Sequence, residues 1–145
     1  MAAVDLTVGV GGQVSELGLG KAFVQPIEID FSVNNVAASD VITVWDVPDK
    51  ILILQVYWSV ITAETGNFDV GDIGDNNGYV AAASAASVAD GMGAGLLLID
   101  AGSDYTGGNF NGAADSIIVV PDAAMDSGKI RLQVYGINFG DWTTT

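Results

Sequence analysis

The sequence predicts an all-β protein, specifically a jelly-roll-like antiparallel β-sandwich with an extended N-terminal arm. Runs rich in Val and Ile alternate apolar with polar residues, which is the period of a half-buried strand. The 19 glycines and the preference for Asp over Glu disfavour helices, because Gly lowers helix stability and Asp favours turns. Turn residues separate about eight such runs, and short connections are mixed with long ones, as in jelly rolls rather than in up-and-down barrels.

The first predicted strand spans residues 22–33, where Phe23, Ile27 and Val33 share one parity with the other apolar positions. Gln25 interrupts this apolar series. Pro26 predicts an edge strand or a bulge, because proline has no N–H to give to a neighbouring strand. The next strand, residues 41–47, ends at a turn that contains Pro48.

Ile51–Thr62 is the strongest strand of the sequence. Strict alternation puts Leu52, Val56 and Trp58 on one apolar face, and that face is expected to join the core. The opposite face is only partly polar. A strand that is apolar on both faces is typical of a central strand covered on both sides. We therefore expect the core to cover one face and a neighbouring subunit to cover the other.

The remaining elements are shorter, and the clearest of them is the strand 129–135, in which Ile130, Leu132 and Val134 face inward. The other elements, in chain order, are a strand at 68–71, a turn at 72–78, a short helix or irregular strand at 79–88, an apolar run at 96–99, a long loop at 100–114 and a strand at 116–120. With 145 residues and no linker, the chain is expected to form a single domain, with residues 1–20 as an arm and residues 138–145 as a tail.

The composition excludes several classes of function. There is no Cys and no His, so Ser-His-Asp triads, Cys-His dyads, thiolate zinc sites and disulfides are ruled out. Four Lys and Arg against 18 Asp and Glu give a net charge of −14, which argues against nucleic acid as a partner. No apolar run is long enough for a membrane span, so no membrane partner is expected. Without His, Cys or a cationic site, we expect no enzymatic activity.

The densest polar segment, residues 69–78, is open to two interpretations. Its oxygen-bearing side chains are Asp69, Asp72, Asp75 and Asn77, and carboxylate and amide oxygens are calcium ligands. Their spacing does not match an EF-hand loop. The alternative is a hairpin turn in which Asn77 and Gly78 supply the unusual backbone angles. No cofactor other than this possible Ca²⁺ is expected.

Two further groups of residues are candidates for contacts. Tyr57, Phe139 and Trp142 are candidate interface residues. Tyr57 lies on the face of Ile51–Thr62 that a neighbouring subunit is expected to cover. Phe139 and Trp142 lie in a polar segment, where aromatic side chains are frequent interface anchors. Lys129 and Arg131 lie on one face of one strand. They either anchor an acidic partner or pair with carboxylates on the neighbouring strand.

The central part of the chain, from Asp40 to Ile137, resembles the capsid cement or decoration proteins of tailed bacteriophages. The resemblance is carried by a Val-Gly-Asp motif at residues 70–72 and an Asp-x-x-Gly-Tyr motif at residues 75–79, after a long apolar strand. It implies a homo-oligomer, expected to be a homotrimer, that binds the outer surface of the phage head and clamps neighbouring major capsid subunits. It supplies no catalytic residues and no match for the N-terminal arm.

An alternative function is a carbohydrate- or host-binding β-module of the tail-fibre or lectin-like kind, with Ca²⁺ as a candidate cofactor. Its motivation is a set of aromatic residues that can stack on sugars, together with the Asp-rich loops: Tyr57, Tyr79, Tyr105 and Phe110.

Overall fold

The computed structural model describes residues 21–92 and 109–140. Every regular element within them is a β-strand, and all the strand pairs are antiparallel. The strands are β1 (Lys21–Asp30), β2 (Ile42–Val47), β3 (Ile51–Thr62), β4 (Asn67–Gly71), β5 (Val80–Ser84), β6 (Ala89–Met92), β7 (Asn109–Asn111), β8 (Asp115–Pro121) and β9 (Lys129–Asn138). They form two sheets around one buried apolar cluster, which confirms the predicted all-β antiparallel sandwich.

The first sheet has the order β1-β9-β3-β6, and β7 also pairs with β3. β1 lies at the edge of this sheet, as Pro26 predicted. The missing N–H of Pro26 therefore does not interrupt the hydrogen bonds of a central strand. Gln25 does not leave the apolar face as the sequence interpretation implied. It is fully buried, and its Nε2 donates to the carbonyl of Pro26 at 3.2 Å. A buried amide needs such partners to offset its desolvation.

β3 departs from the strict alternation that the sequence predicted. Its pairing with β9 shifts register between Ile53 and Gln55, so Leu54 is an extra residue in a β-bulge. Ile51 and Ile53 face the core before the bulge, and Val56 and Val60 face it afterwards. The prediction that Leu52 shares a buried face with Val56 was therefore wrong, because a one-residue insertion exchanges the two faces of a strand.

β6 and β7 together form one interrupted edge strand. β6 ends with Met92 opposite Tyr57, and β7 begins with Asn109 opposite Ile53, both antiparallel to β3. The two segments therefore run in the same direction along the same edge. Met92 and Asn109 therefore lie about 13 Å apart, since their partners Tyr57 and Ile53 are four residues apart along β3.

The second sheet has the order β2-β8-β4-β5, and two aromatic pairs connect it to the first sheet. Phe23 of β1 meets Trp45 of β2 edge-to-face, with ring centroids 5.7 Å apart. Trp58 of β3 meets Phe68 of β4 in the same geometry and at the same distance. The predicted core role of Trp58 fits this contact, although its side chain is only partly buried.

The boundaries of several other elements differ from the predicted ones. Val33 is 75% exposed, because β1 ends at Asp30 and a turn follows. The segment predicted as a helix or irregular strand contains β5, and Asn138 of the predicted tail is the last residue of β9. The predicted arm at 1–20, the apolar run at 96–99 and the tail beyond residue 140 lie outside the described residues. In the part of the chain that the structure describes, no helix is long and apolar enough to span a membrane.

Candidate functional site

The outer face of the first sheet carries an apolar area at the end where β1 begins and β9 ends. We call it the outer patch and define it by six residues whose side chains point away from the core: Ala22, Val24, Leu54, Tyr57, Tyr135 and Ile137. A groove of about 410 Å³ runs between five of them, and Phe23 and Gly136 complete its lining. The bulge in β3 creates this surface, because it places Leu54 on the outer face next to Tyr135.

Two tyrosines form the aromatic part of the outer patch. The rings of Tyr57 and Tyr135 meet edge-to-face, with centroids 5.0 Å apart. Tyr57 is 37% exposed, which makes it one of the exposed large hydrophobic side chains of the described residues. Tyrosine is enriched in the centres of protein interfaces, so the placement of Tyr57 fits its predicted role as an interface residue.

The other two predicted interface residues do not join the outer patch in the described structure. Phe139 follows β9, and its backbone N–H donates to the carbonyl of Lys50 in the β2–β3 turn at 2.9 Å. Ile51 and Asn138 are paired, so Phe139 lies about 20 Å along the sheet from Tyr57. Trp142 lies outside the described residues.

The remaining part of the same outer face carries a group of ion pairs. Arg131 Nη2 lies 3.0 Å from Glu28 Oε2, and Lys129 Nζ lies 3.3 Å from Asp30 Oδ2 and 3.6 Å from Glu28 Oε1. The hydrogen bond that Arg131 donates to Glu28 lowers the pKa of Glu28. The hydrogen bond that Lys129 donates to Asp30 raises the pKa of Lys129. The second interpretation of the two cations, pairing with carboxylates on the adjacent strand, is the one that the structure shows.

The acidic segment after β4 folds as a tight turn. Asp72 Oδ1 accepts hydrogen bonds from the N–H groups of Gly74 at 2.8 Å and Asp75 at 2.9 Å. Asp69 Oδ1 instead accepts from the N–H of Ala82 on β5 at 2.7 Å. The N–H of Asn77 reaches Asp75 Oδ1 at 3.4 Å. These carboxylates therefore bind backbone groups of their own loop and of the neighbouring strand.

Among the described residues, no three acidic side chains converge in a way that could hold a metal ion. The turn interpretation accounts for the hydrogen bonds of Asp72 without a cation. Calcium binding by these residues stays a prediction of the sequence.

A carboxylate that the sequence analysis missed accepts several backbone hydrogen bonds. Glu64 Oε2 accepts from three consecutive backbone N–H groups of the β8–β9 connection, those of Asp126 at 2.9 Å, Ser127 at 2.8 Å and Gly128 at 2.9 Å. Its Oε1 accepts from the N–H of Thr65 at 2.9 Å. These backbone donors, Thr65 first, lower the pKa of Glu64 from 4.5 to about 2.

Gly128 makes this arrangement possible, because a Cβ at that position would lie 2.4 Å from Glu64 Cβ. Consecutive N–H groups that converge on one anion form a backbone nest. No local pattern marks Glu64 in the sequence, since the three consecutive donors to its Oε2 lie more than sixty residues away along the chain.

The alternative carbohydrate-binding function loses one of its aromatic residues. Tyr79 is only 2% exposed and belongs to the core cluster, so its ring is not available to stack on a sugar. The ring of Tyr57 packs against Tyr135. Tyr105 and the side chain of Phe110 lie outside the described residues.

The fold is similar to that of chains in three solved phage capsids. A chain of the cyanophage Pam1 capsid asymmetric unit matches with a TM-score of 0.58 and 20% identity, over 82% of this chain and 86% of that chain. A chain of the Ralstonia phage GP4 capsid matches with a TM-score of 0.59 and 18% identity, over 82% and 85%. A chain of the acidic stable capsid of Helicobacter pylori bacteriophage KHP30 matches with a TM-score of 0.51 and 13% identity, over 80% of this chain and 86% of that chain.

Comparison with family models gives no match. Comparison with curated protein sequences gives none either. The similarity to the three capsid chains therefore shows a shared fold. The matched chains are also similar in length to this one, because the aligned part, about 82% of 145 residues, makes up 86% of the first of them.

Proposed function

We propose that this protein is a structural component of a bacteriophage virion, and specifically a capsid cement protein that lies on the outer surface of the head. In this role it clamps neighbouring major capsid subunits and acts as a homo-oligomer, with a trimer as the expected stoichiometry. The observation that carries the proposal is the match of the sandwich to nearly whole chains of phage capsids.

The strand order supports the finer assignment to a jelly roll. β1, β3, β6 and β9 belong to one sheet and β2, β4, β5 and β8 to the other, so the chain changes sheet at most of its connections. Two four-stranded Greek keys that fold in this way are the jelly-roll pattern. β7 is then the second part of the interrupted edge strand.

The net charge supports a position outside the shell. A protein of charge −14 is repelled by packaged DNA, whose phosphates are dense and negative. On the outer surface the charge favours solubility, and cement function requires only that the protein bury surface across neighbouring subunits. Ligands that bind only the assembled state stabilise it by mass action.

The test uses purified heads that lack this protein, taken from the phage that encodes it. We expect the protein to co-sediment with expanded heads, to leave isolated capsid subunits unbound and to raise the temperature at which the heads release DNA. Cryo-imaging of decorated heads would then show density on the outer surface. Absence of co-sedimentation, or density inside the shell, would contradict the proposal. Bovine serum albumin, another acidic protein, serves as the control for non-specific binding.

A further inference from the structure

We propose that the outer patch is the contact between copies of this chain. The inference deepens the proposed function, because it rests on the homo-oligomer of that proposal and assigns the surface that forms it. The alternatives are that a capsid subunit covers the patch, or that a segment of the same chain does so. Three observations favour a second copy.

The first observation is that β1, β9 and β3, the strands that form the outer patch, carry no net charge on their outer face, although the protein is strongly acidic. The edge strand β6 adds one exposed carboxylate to this face, that of Asp90 opposite Ser59. The outward side chains of β1, β9 and β3 include two carboxylates and two cations, which are Glu28, Asp30, Lys129 and Arg131. The two negative and two positive charges sum to zero, and all four groups take part in the ion pairs of that face. Half of the four cations of the whole chain therefore lie on this surface.

This neutrality matters for the choice of partner. Two copies that each carry a charge of −14 repel each other where carboxylates of one copy lie opposite carboxylates of the other. The repulsion is weakest where the contact surface is neutral. A basic partner would instead gain attraction from the acidic surfaces elsewhere on the molecule. The charge distribution thus fits a partner with the same sign of charge, and a second copy has it.

The second observation is the composition of the outer patch. Its six residues are all apolar or aromatic, and the groove between them is lined almost entirely by carbon. Interface centres are depleted in charged residues and enriched in tyrosine, as at Tyr57 and Tyr135. The edge-to-face contact of these two rings holds Tyr57 in position, so little side-chain entropy is lost on association.

The third observation is that the ion pairs border the outer patch on the same strands. Glu28 and Arg131 form one cross-strand pair, and Val24 and Tyr135 form another, four residues further towards the start of β1. A polar border around an apolar centre is the usual organisation of a protein interface.

The first experiment measures the mass of the protein by light scattering after size exclusion, at several concentrations. The variant Tyr57→Glu adds a charge to the outer patch, and Val88→Glu adds the same charge to an exposed apolar side chain in the β5–β6 connection. We expect the original chain and Val88→Glu to form the same oligomer, and Tyr57→Glu to weaken association at least tenfold. Circular dichroism checks that both variants are folded.

A second experiment separates a second copy from the other occupants. The chain has no cysteine, so single substitutions Ala22→Cys in the outer patch and Val88→Cys outside it give one reactive thiol each. We expect the maleimide reaction of Ala22→Cys to slow as protein concentration rises, and that of Val88→Cys to stay constant. Slow reaction at every concentration, in samples that light scattering shows to be monomeric, would show that the chain covers its own patch, which overturns the inference.

Other results of these experiments would also overturn the inference or separate it from the proposed function. A monomer at all concentrations, or equal masses for Tyr57→Glu and Val88→Glu, would overturn the inference. Its failure is distinguishable from that of the proposed function: a monomer that still binds heads contradicts only the copy contact, and an oligomer that does not bind heads contradicts only the cement role. The measured mass also separates a dimer, in which the patch meets itself, from a trimer, in which it meets another surface.

Discussion

The carboxylate of Glu64 accepts a hydrogen bond from the backbone N–H of Gly128 at 2.9 Å, across 64 positions of the chain. This bond and its neighbours attach the β3–β4 connection to the β8–β9 connection at one end of the sandwich. Both loops thereby gain a fixed geometry. The ionised carboxylate matters because charged acceptors form stronger hydrogen bonds than neutral ones.

Replacement of this carboxylate should destabilise the protein. We expect Glu64→Gln to lower the free energy of unfolding by about 1–3 kcal/mol, since the backbone donors lose their charged acceptor. The matched control is Asp126→Asn, which removes an exposed carboxylate from the β8–β9 connection and leaves the backbone donors of that connection in place. Urea unfolding followed by tryptophan fluorescence measures both. Equal stability of the two variants would show that the Glu64 nest contributes nothing.

The same contact should make stability depend on pH at the acidic end. The folded pKa of Glu64 is about 2, below its usual value of 4.5, so its contribution is fully present above pH 4.5 and is lost as the pH falls through 2. We expect the stability difference between the original chain and Glu64→Gln to shrink over that interval. Melting temperatures between pH 7 and pH 2 measure it. A difference that stays constant would contradict the lowered pKa.

Gly136 of β9 is predicted to tolerate no side chain. A Cβ there would lie 2.3 Å from the carbonyl oxygen of Leu52 and 2.8 Å from the ring of Phe23. We expect Gly136→Ala to destabilise the protein by about 1–3 kcal/mol, because backbone and a packed ring must both move. Gly74→Ala is the control, since the nearest atom to its Cβ would be an Asp72 oxygen at 3.4 Å. A similar effect of both substitutions would contradict this explanation.

The calcium prediction for the acidic segment can be tested directly. If Asp69, Asp72, Asp75 and Asn77 bind Ca²⁺, titration into chelator-treated protein will release or absorb heat and raise the melting temperature. Asp72→Asn should abolish the effect but keep an oxygen acceptor for the N–H groups of Gly74 and Asp75. No heat and no shift in the melting temperature of the original chain would contradict the prediction.

The sequence predicted best where a strand is regular. In β9, Ile130, Leu132 and Val134 are all buried, while Arg131 is exposed as expected. In β3 the same reasoning placed Val56 and Val60 on the core face correctly. It failed at Leu52 and Leu54, because a bulge has no reliable sequence signature and exchanges the faces of the residues on its two sides.

The candidate site was predicted only in part. Tyr57 was recognised from its residue type, but the other members of the outer patch come from three strands, and only the strand order brings them together. The Glu64 nest escaped prediction for the same reason, since its donors belong to a distant connection. Pairing of Lys129 and Arg131 with acidic residues was foreseen, whereas the particular partners, Glu28 and Asp30, follow from the β1–β9 register.

The order of the first sheet also has a consequence for how the chain folds. β9, which comes after all the other described strands along the chain, lies between β1 and β3. β1 therefore has no partner in its sheet, and β3 lacks one of its two neighbours, until residues 129–138 have been synthesised. Pairings between such distant segments form slowly, because a long loop must close before any contact stabilises it. We therefore expect slow, late-completing folding, during which the apolar edges of β1 and β3 are exposed to aggregation at high expression levels.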